Sequence, residues 1–243
     1  MSLKKLALFS SLFVILFFSI QAYTQTNNLK PNVINRDYKE MNKKDKWEIN
    51  VAYPEIQFSN KKAAQSFNAR SKKEVMESVA DFKKMFLNEI IENSAPYYLT
   101  ISYQVEFINQ HLISVLFNYS SYTGGAHGIY STYTLNYDLK NNKVLALPDL
   151  FKKGANFLPI ISKQSIAQIL AKQGGASSEW VEEGASAHLQ NFTHWNITPK
   201  GLLFSFDPYQ VASYAEGSFT TVIPYSVFPA KIKQPIFLAI PAH

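Results

Sequence analysis

Residues 118–138 read NYSSYTGGAHGIYSTYTLNYD. Two segments that alternate between apolar and small polar residues flank a glycine tip, Gly124-Gly125-Ala126-His127-Gly128. Alternation with period two is the pattern of a half-buried strand, and glycines between two such runs mark a hairpin. Adjacent glycines accept positive φ and let backbone approach backbone closely, which suits a turn and equally suits a surface that docks a partner. Tyrosines and hydroxyl residues line both arms.

The pattern extends in both directions. Tyr97–Phe107 alternates as Leu99, Ile101, Tyr103, Val105, Phe107, and 111–122 alternates as Ile113, Val115, Phe117, Tyr119. Asn109-Gln110 and Asn141-Asn142 supply turns before and after the central hairpin, and Val144-Leu145 continues beyond. Short turns between successive strands predict an antiparallel meander. Upstream, Trp47–Tyr53 predicts a strand ended by Pro54. Between 60 and 93, Ala64, Phe67, Val75, Val79, Phe82, Phe86 and Ile90 recur at steps near three or four, with Ser71 the polar break. That spacing predicts a long helix covering the sheet, and its mixed charges argue against a membrane-surface role.

Downstream, 155–172 predicts a second helix ended at Gly174-Gly175, and Ser177 or Ser178 caps a third running to Leu189. Trp195–Thr198 and Leu202–Phe206 predict a hairpin, Phe219–Ile223 a strand ended by Pro224, and 236–240 a last strand. The fold class expected is α+β: antiparallel sheet packed against a long helix, with a smaller C-terminal α+β part.

At the N-terminus, Lys4 and Lys5 precede an apolar run over 6–20, too short for an ordinary membrane span. A signal peptide cleaved after Ala22 is expected, with an uncleaved anchor as the alternative. Residues 23–45 are polar and aperiodic and read as a linker. The formal charge is +6; cleavage would remove Lys4 and Lys5 and no acid, leaving +4. A mildly basic exported chain favours anionic envelope polymers, and a solvated helix face accounts for the same lysines. With no cysteine in 243 residues, thiol catalysis, disulfides and Cys-based zinc sites are excluded.

Three segments in order carry a resemblance: Tyr122–Gly128, then Asp149-Leu150-Phe151, then Phe204–Gly217 followed by Val222-Ile223-Pro224-Tyr225. Over roughly 45–230 the chain resembles the linked domains of unknown function found in the extracytoplasmic part of RsiV-type anti-sigma factors and beside the catalytic domain of PdaC-type peptidoglycan deacetylases. The resemblance implies a PdaC-like N-terminal domain over 46–145, an RsiV-like C-terminal domain over 146–230 and a tail at 231–243. In RsiV-like proteins the region binds lysozyme; in PdaC-like proteins it accompanies an enzyme of the cell-wall glycan. Only five residues precede the apolar run, so no sigma-binding segment is expected, and no deacetylase domain is expected in 243 residues.

The expectation is an exported module, periplasmic or secreted. It would bind peptidoglycan or another anionic glycan, or a lysozyme-like protein, with Tyr122, Gly124, Gly125, His127 and Tyr130 as candidate binding residues. No nucleic-acid partner, cofactor, metal or membrane span after processing is expected. The alternative is a cell-wall-active enzyme using His127 with a carboxylate. A catalytic base needs a nucleophile or acid within hydrogen-bond reach. Ser120, Ser121 and Ser131 are near in sequence, but there is no G-x-S-x-G elbow. His127 therefore reads as structural, bonded to backbone across the turn, or as ligand-binding. Glycan hydrolysis needs a carboxylate pair. Asp149, Asp207 and Glu216 lie in the motif segments, and Asp207 before Pro208 reads as a turn former. Histidines at 111, 127, 188, 194 and 243 show no metal-ligand spacing.

Overall fold

A computed structural model describes residues 30–86, 96–172, 177–228 and 232. The leader, the last turns expected of the first helix, Gly174-Gly175 and the strand expected at 236–240 lie outside the described residues.

Six strands lie in chain order: β1 (Asn32–Asn42), β2 (Trp47–Gln57), β3 (Tyr97–Ile108), β4 (Leu112–Tyr122), β5 (Ile129–Asp138) and β6 (Lys143–Val144). The meander expected from residue 97 onward is present. The sheet as a whole is mixed, because β2 and β3 are parallel. Parallel neighbours need a crossover that returns the chain to the same end, and helix α1 (Lys61–Met85) lies in that connection. Asn60 caps α1 by accepting from Ala63 N at 3.2 Å. The predicted stripe of Phe67, Val75, Val79 and Phe82 is buried against Ile49, Val51, Leu99, Ile101, Val115 and Phe117.

The linker expected at 23–45 is corrected over 32–42, which pairs with β2 along its whole length. An edge strand has one neighbour and buries little, so its sequence, NVINRDYKEMN, carries almost no alternation. Val33 and Tyr38 still reach the core. Pro54 does not end β2. It falls past Val51, where β2 has already lost its β3 neighbour, so a missing N–H costs little. At Ile56 the Asn68 amide of α1 fills the vacant edge, accepting from Ile56 N at 2.7 Å and donating to Ile56 O at 3.1 Å.

The second unit holds α2 (Leu158–Lys172), α3 (Ser178–Gly184) and a three-stranded antiparallel sheet of β7 (Trp195–Thr198), β8 (Gly201–Phe206) and β9 (Phe219–Ile223). Helix α2 begins later than expected because Pro159 is tolerated only in a first turn. Ahead of it Phe157 stacks on Phe151 at 4.0 Å. Helix α3 stops well short of Leu189, and Ser177 occupies the cap position without a side-chain cap bond. The edge of β9 is filled by Gln168 of α2, which accepts from Val222 N at 3.0 Å and donates to Val222 O at 2.9 Å.

The two units share residues. A bulge between Val105 and Phe107 shifts the alternation of β3, so Phe107 leaves the first core and, with Leu112, enters the second. The outer edge of β7 meets side chains of the large sheet. Trp195 N donates to Thr134 Oγ1 at 3.3 Å, and Ile197 N donates to Ser114 Oγ at 3.0 Å. Asn136 Nδ2 donates to Trp195 O at 2.7 Å, and Ser114 Oγ donates to Asn136 Oδ1 at 2.6 Å.

Candidate functional site

Alternation gives the large sheet two faces. One is packed under α1. The other is covered by the second unit around Phe107, Leu112, Ser114, Thr134 and Asn136. Where that cover stops, a cavity of about 270 Å³ opens between the sheet and the loop after β8. Asn118, Tyr130 and Thr132 form its floor, and Pro208, Tyr214 and Ser218 its wall.

The floor ends at the glycine tip. Gly124 and Gly125 take φ of 104° and 100°, conformations that residues with a Cβ rarely adopt. Tyr122 donates to Gly125 O at 2.9 Å and stacks on Tyr97 and Tyr98. His127 Nδ1 lies 2.8 Å from Gly128 O, and since a carbonyl only accepts, Nδ1 carries the proton. The His127 ring stacks on Tyr214 with centroids 3.8 Å apart.

The wall is a strained loop. Tyr209 takes φ of 70° and is 56% exposed. A bulky residue with positive φ persists only where its surroundings hold it. Here Tyr209 N donates to Ala212 O, and Trp180 Nε1 of α3 donates to Tyr209 O. Ser213 donates through N and Oγ to Glu216, closing the turn that carries Tyr214. Tyr214 then donates to Gly128 O at 2.8 Å, tying the wall to the tip. Its ring lies 6.3 Å from Tyr130 and 5.8 Å from Tyr209. Loss of surrounding water, then the Tyr130, Tyr98 and Tyr209 phenols, hold the Tyr214 phenol above its ordinary value.

Asp207 opens the turn expected there, with Gln210 N donating to Asp207 O at 3.1 Å, and its side chain also anchors the loop. Its carboxylate reaches the open edge of β5, accepting from Thr132 Oγ1 at 2.8 Å and Thr132 N at 3.2 Å. A carboxylate only accepts, so Thr132 spends its hydroxyl proton there, and His194 Nδ1, 3.1 Å away, donates to Thr132 Oγ1. Asp207→Ala leaves two donors without an acceptor, and urea unfolding is expected to show a loss of about 1–3 kcal/mol. A change within error would mean that water replaces the carboxylate and that Asp207 does not anchor the loop.

Of the five residues expected to bind, Tyr130 lines the cavity, half exposed. His127 braces Tyr214, while Tyr122, Gly124 and Gly125 shape the tip. The carboxylates expected as hydrolytic candidates are held apart in function. Asp149 accepts from Ala146 N and faces Lys143, Asp207 holds β5, and Glu216 closes its own turn. Sequence reasoning did not assign Tyr209, Tyr214, Asn118 or Thr132 to a site. The signal for the first two was present, since both stand in the Phe204–Gly217 motif.

Comparison with known proteins finds two family models in tandem. Residues 40–130 match the family described as Deacetylase PdaC, and residues 148–226 match the family described as Protein of unknown function (DUF3298). The paired-domain arrangement expected from the motifs is present. Peptidoglycan-N-acetylmuramic acid deacetylase PdaC of Bacillus subtilis (strain 168) is 26% identical over 185 residues, 76% of this chain. The chain spans only 38% of that relative's length. Two solved structures of DUF3298 family proteins share the fold. The one from Bacteroides fragilis superposes with a TM-score of 0.61 at 24% identity, covering 86% of this chain and 96% of its own. The one from Pseudomonas aeruginosa PAO1 gives 0.64 at 16% identity, covering 88% and 98%.

Proposed function

We propose that this protein is an exported cell-envelope binding module without catalytic activity, and that the cleft between Tyr130 and Tyr214 holds a glycan. The observation that carries the reading is the make-up of that cleft. Tyrosine rings stand over a floor of amide and hydroxyl groups. Sugar rings offer apolar faces to aromatic side chains and hydroxyls to polar ones, and tyrosine serves both needs. A relative named for acting on peptidoglycan supports a cell-wall setting. No helix among the described residues is long and apolar enough to cross a membrane.

The non-catalytic part of the proposal is supported by His127. Its contacts are Gly128 O and the Tyr214 ring, with Asp149, Asp207 and Glu216 engaged elsewhere. Of the two partners considered from the sequence, the glycan is favoured over a lysozyme-like protein. A chain of formal charge +6, or +4 after the expected cleavage, gains no overall steering toward a basic protein.

Co-sedimentation with purified sacculi tests the reading beside a pull-down on lysozyme. Tyr130→Ala removes an exposed ring and is expected to weaken retention on sacculi about three- to tenfold. Tyr214→Ala is expected to weaken it at least as much, since the ring also positions His127. Retention unchanged in both variants, or retention on lysozyme alone, would overturn the glycan reading.

A further inference from the structure

We propose that the cleft is the closed end of a longer track across the open face of the large sheet, and that its ligand is an extended glycan strand gripped through uncharged groups. The inference rests on the cleft reading above and names the form of the ligand.

The sheet register lays out the track. Asn50 pairs with Thr100, Thr100 with Ser120, and Ser120 with Tyr130, so one row crosses β2, β3, β4 and β5. A second row, Ser102, Asn118 and Thr132, runs beside it. Neighbouring positions Ile49, Leu99 and Ile101 are buried under α1, so alternation turns both rows to the opposite face. Asn50, Thr100, Ser102 and Tyr130 are exposed, and Asn118 and Ser120 are half-buried. The rows begin at the cavity floor and run out into solvent, with Tyr214 closing the β5 end. Strands stand about 4.8 Å apart, so four of them span about 14 Å. That length accommodates a few linked pyranose rings, where the cavity alone holds one end.

Charge decides the kind of grip. On this face β3, β4 and β5 present Tyr, Thr, Ser, Gln and Asn, with no Lys, Arg, Asp or Glu in the two rows. A ladder of hydroxyls and amides matches sugar hydroxyl and acetamido groups, each side able to donate and accept. The two rows offer no cation to pair with a carboxylate. Seven of the basic residues lie on α1 and three in the β1–β2 turn, away from the two rows, while Lys39 of β1, exposed and paired with Asn50, stands just beyond the open end of the first row. Binding through the track is therefore insensitive to salt, unlike adsorption of a cationic surface.

Titration calorimetry of the whole chain separates the track from the cleft. The probes are N-acetylglucosamine di-, tetra- and hexasaccharides and peptide-free glycan strands prepared from sacculi. Affinity is expected to rise from disaccharide to tetrasaccharide, then flatten, and to hold within about twofold between low and high salt. Asn50→Ala with Thr100→Ala alters exposed residues only. It is expected to lower tetrasaccharide affinity about three- to tenfold for each hydrogen bond lost and to leave the disaccharide unchanged. Tyr130→Ala is expected to weaken every probe. If chain length and the double variant have no effect while Tyr130→Ala still does, the track is wrong and the cleft reading stands. If no probe binds, both fail. A steep fall with salt would overturn the uncharged grip.

Discussion

Ser114→Ala is expected to destabilise the protein by about 3–6 kcal/mol, although it removes a single oxygen. Ser114 is fully buried on β4 at the junction of the two units. Its hydroxyl donates to Asn136 Oδ1 and accepts from Asn196 Nδ2 at 2.9 Å and from Ile197 N at 3.0 Å. Alanine leaves those three polar atoms in a site that excludes water, and each orphaned group costs about 1–3 kcal/mol. Asn196 has little in reserve, since its Oδ1 already lacks a partner. A chain of this size loses about 2–4 °C of Tm per kcal/mol, so Tm should fall by roughly 6–24 °C. Asn136→Ala breaks the same network, and the double variant should cost clearly less than the sum of the singles. A loss below about 1 kcal/mol for Ser114→Ala, or strict additivity, would show that the junction relaxes or admits water.

The second large effect comes from Gly184→Ala at the end of α3, where a methyl group has no room. A Cβ built there stands 1.8 Å from Gln210 O and 3.1 Å from Val211 Cγ1. One of the two backbones must move. Overpacking of this kind costs about 3 kcal/mol, and more where backbone rather than a flexible side chain is struck. The displaced segment is the loop that carries Tyr209 and Tyr214. It is held in part by Gln210 Nε2, which donates to Gly184 O and Asn191 O. Gly184→Ala is therefore expected to lower Tm by roughly 6–12 °C and to weaken retention on sacculi together. Gly125→Ala is the contrast. Nothing stands within 4 Å of its Cβ, so its cost is limited to the backbone at φ 100°. If Gly184→Ala melts like the parent protein, the loop is not clamped where it is described.

Much of the first unit was legible because its elements repeat a period. The helix stripe from Phe67 to Phe82 and the strand arms from Leu99 to Phe117 announce which side is buried. What escaped was set by neighbours distant in sequence. β1 is a strand because β2 offers it an edge, and its own residues barely alternate. The parallel β2–β3 pair depends on where α1 returns the chain. The bulge near Val105 reverses the facing of Phe107, which a reading by strict alternation puts on the wrong side. At the site, Tyr130 was found because it stands beside the glycine tip. Tyr214 and Thr132 were not, because the cleft exists only where the loop after β8 meets β5 across some 80 residues of chain, as the Tyr214 to Gly128 bond spans 86.

Among the described residues, four strand edges end on side chains instead of on further strands. Asn68 serves Ile56, Asp207 serves Thr132, Gln168 serves Val222, and Ser114 with Thr134 serves β7. Each supplies in one group the donor or acceptor that another chain would otherwise provide. Where these caps sit, the molecule has withdrawn its main chain from recognition. It cannot recruit a peptide, or a copy of itself, by strand addition there without first evicting a cap. At those edges it presents side-chain chemistry on a stiff face, and selectivity for a partner there can change by exchanging surface residues without disturbing the order of the strands.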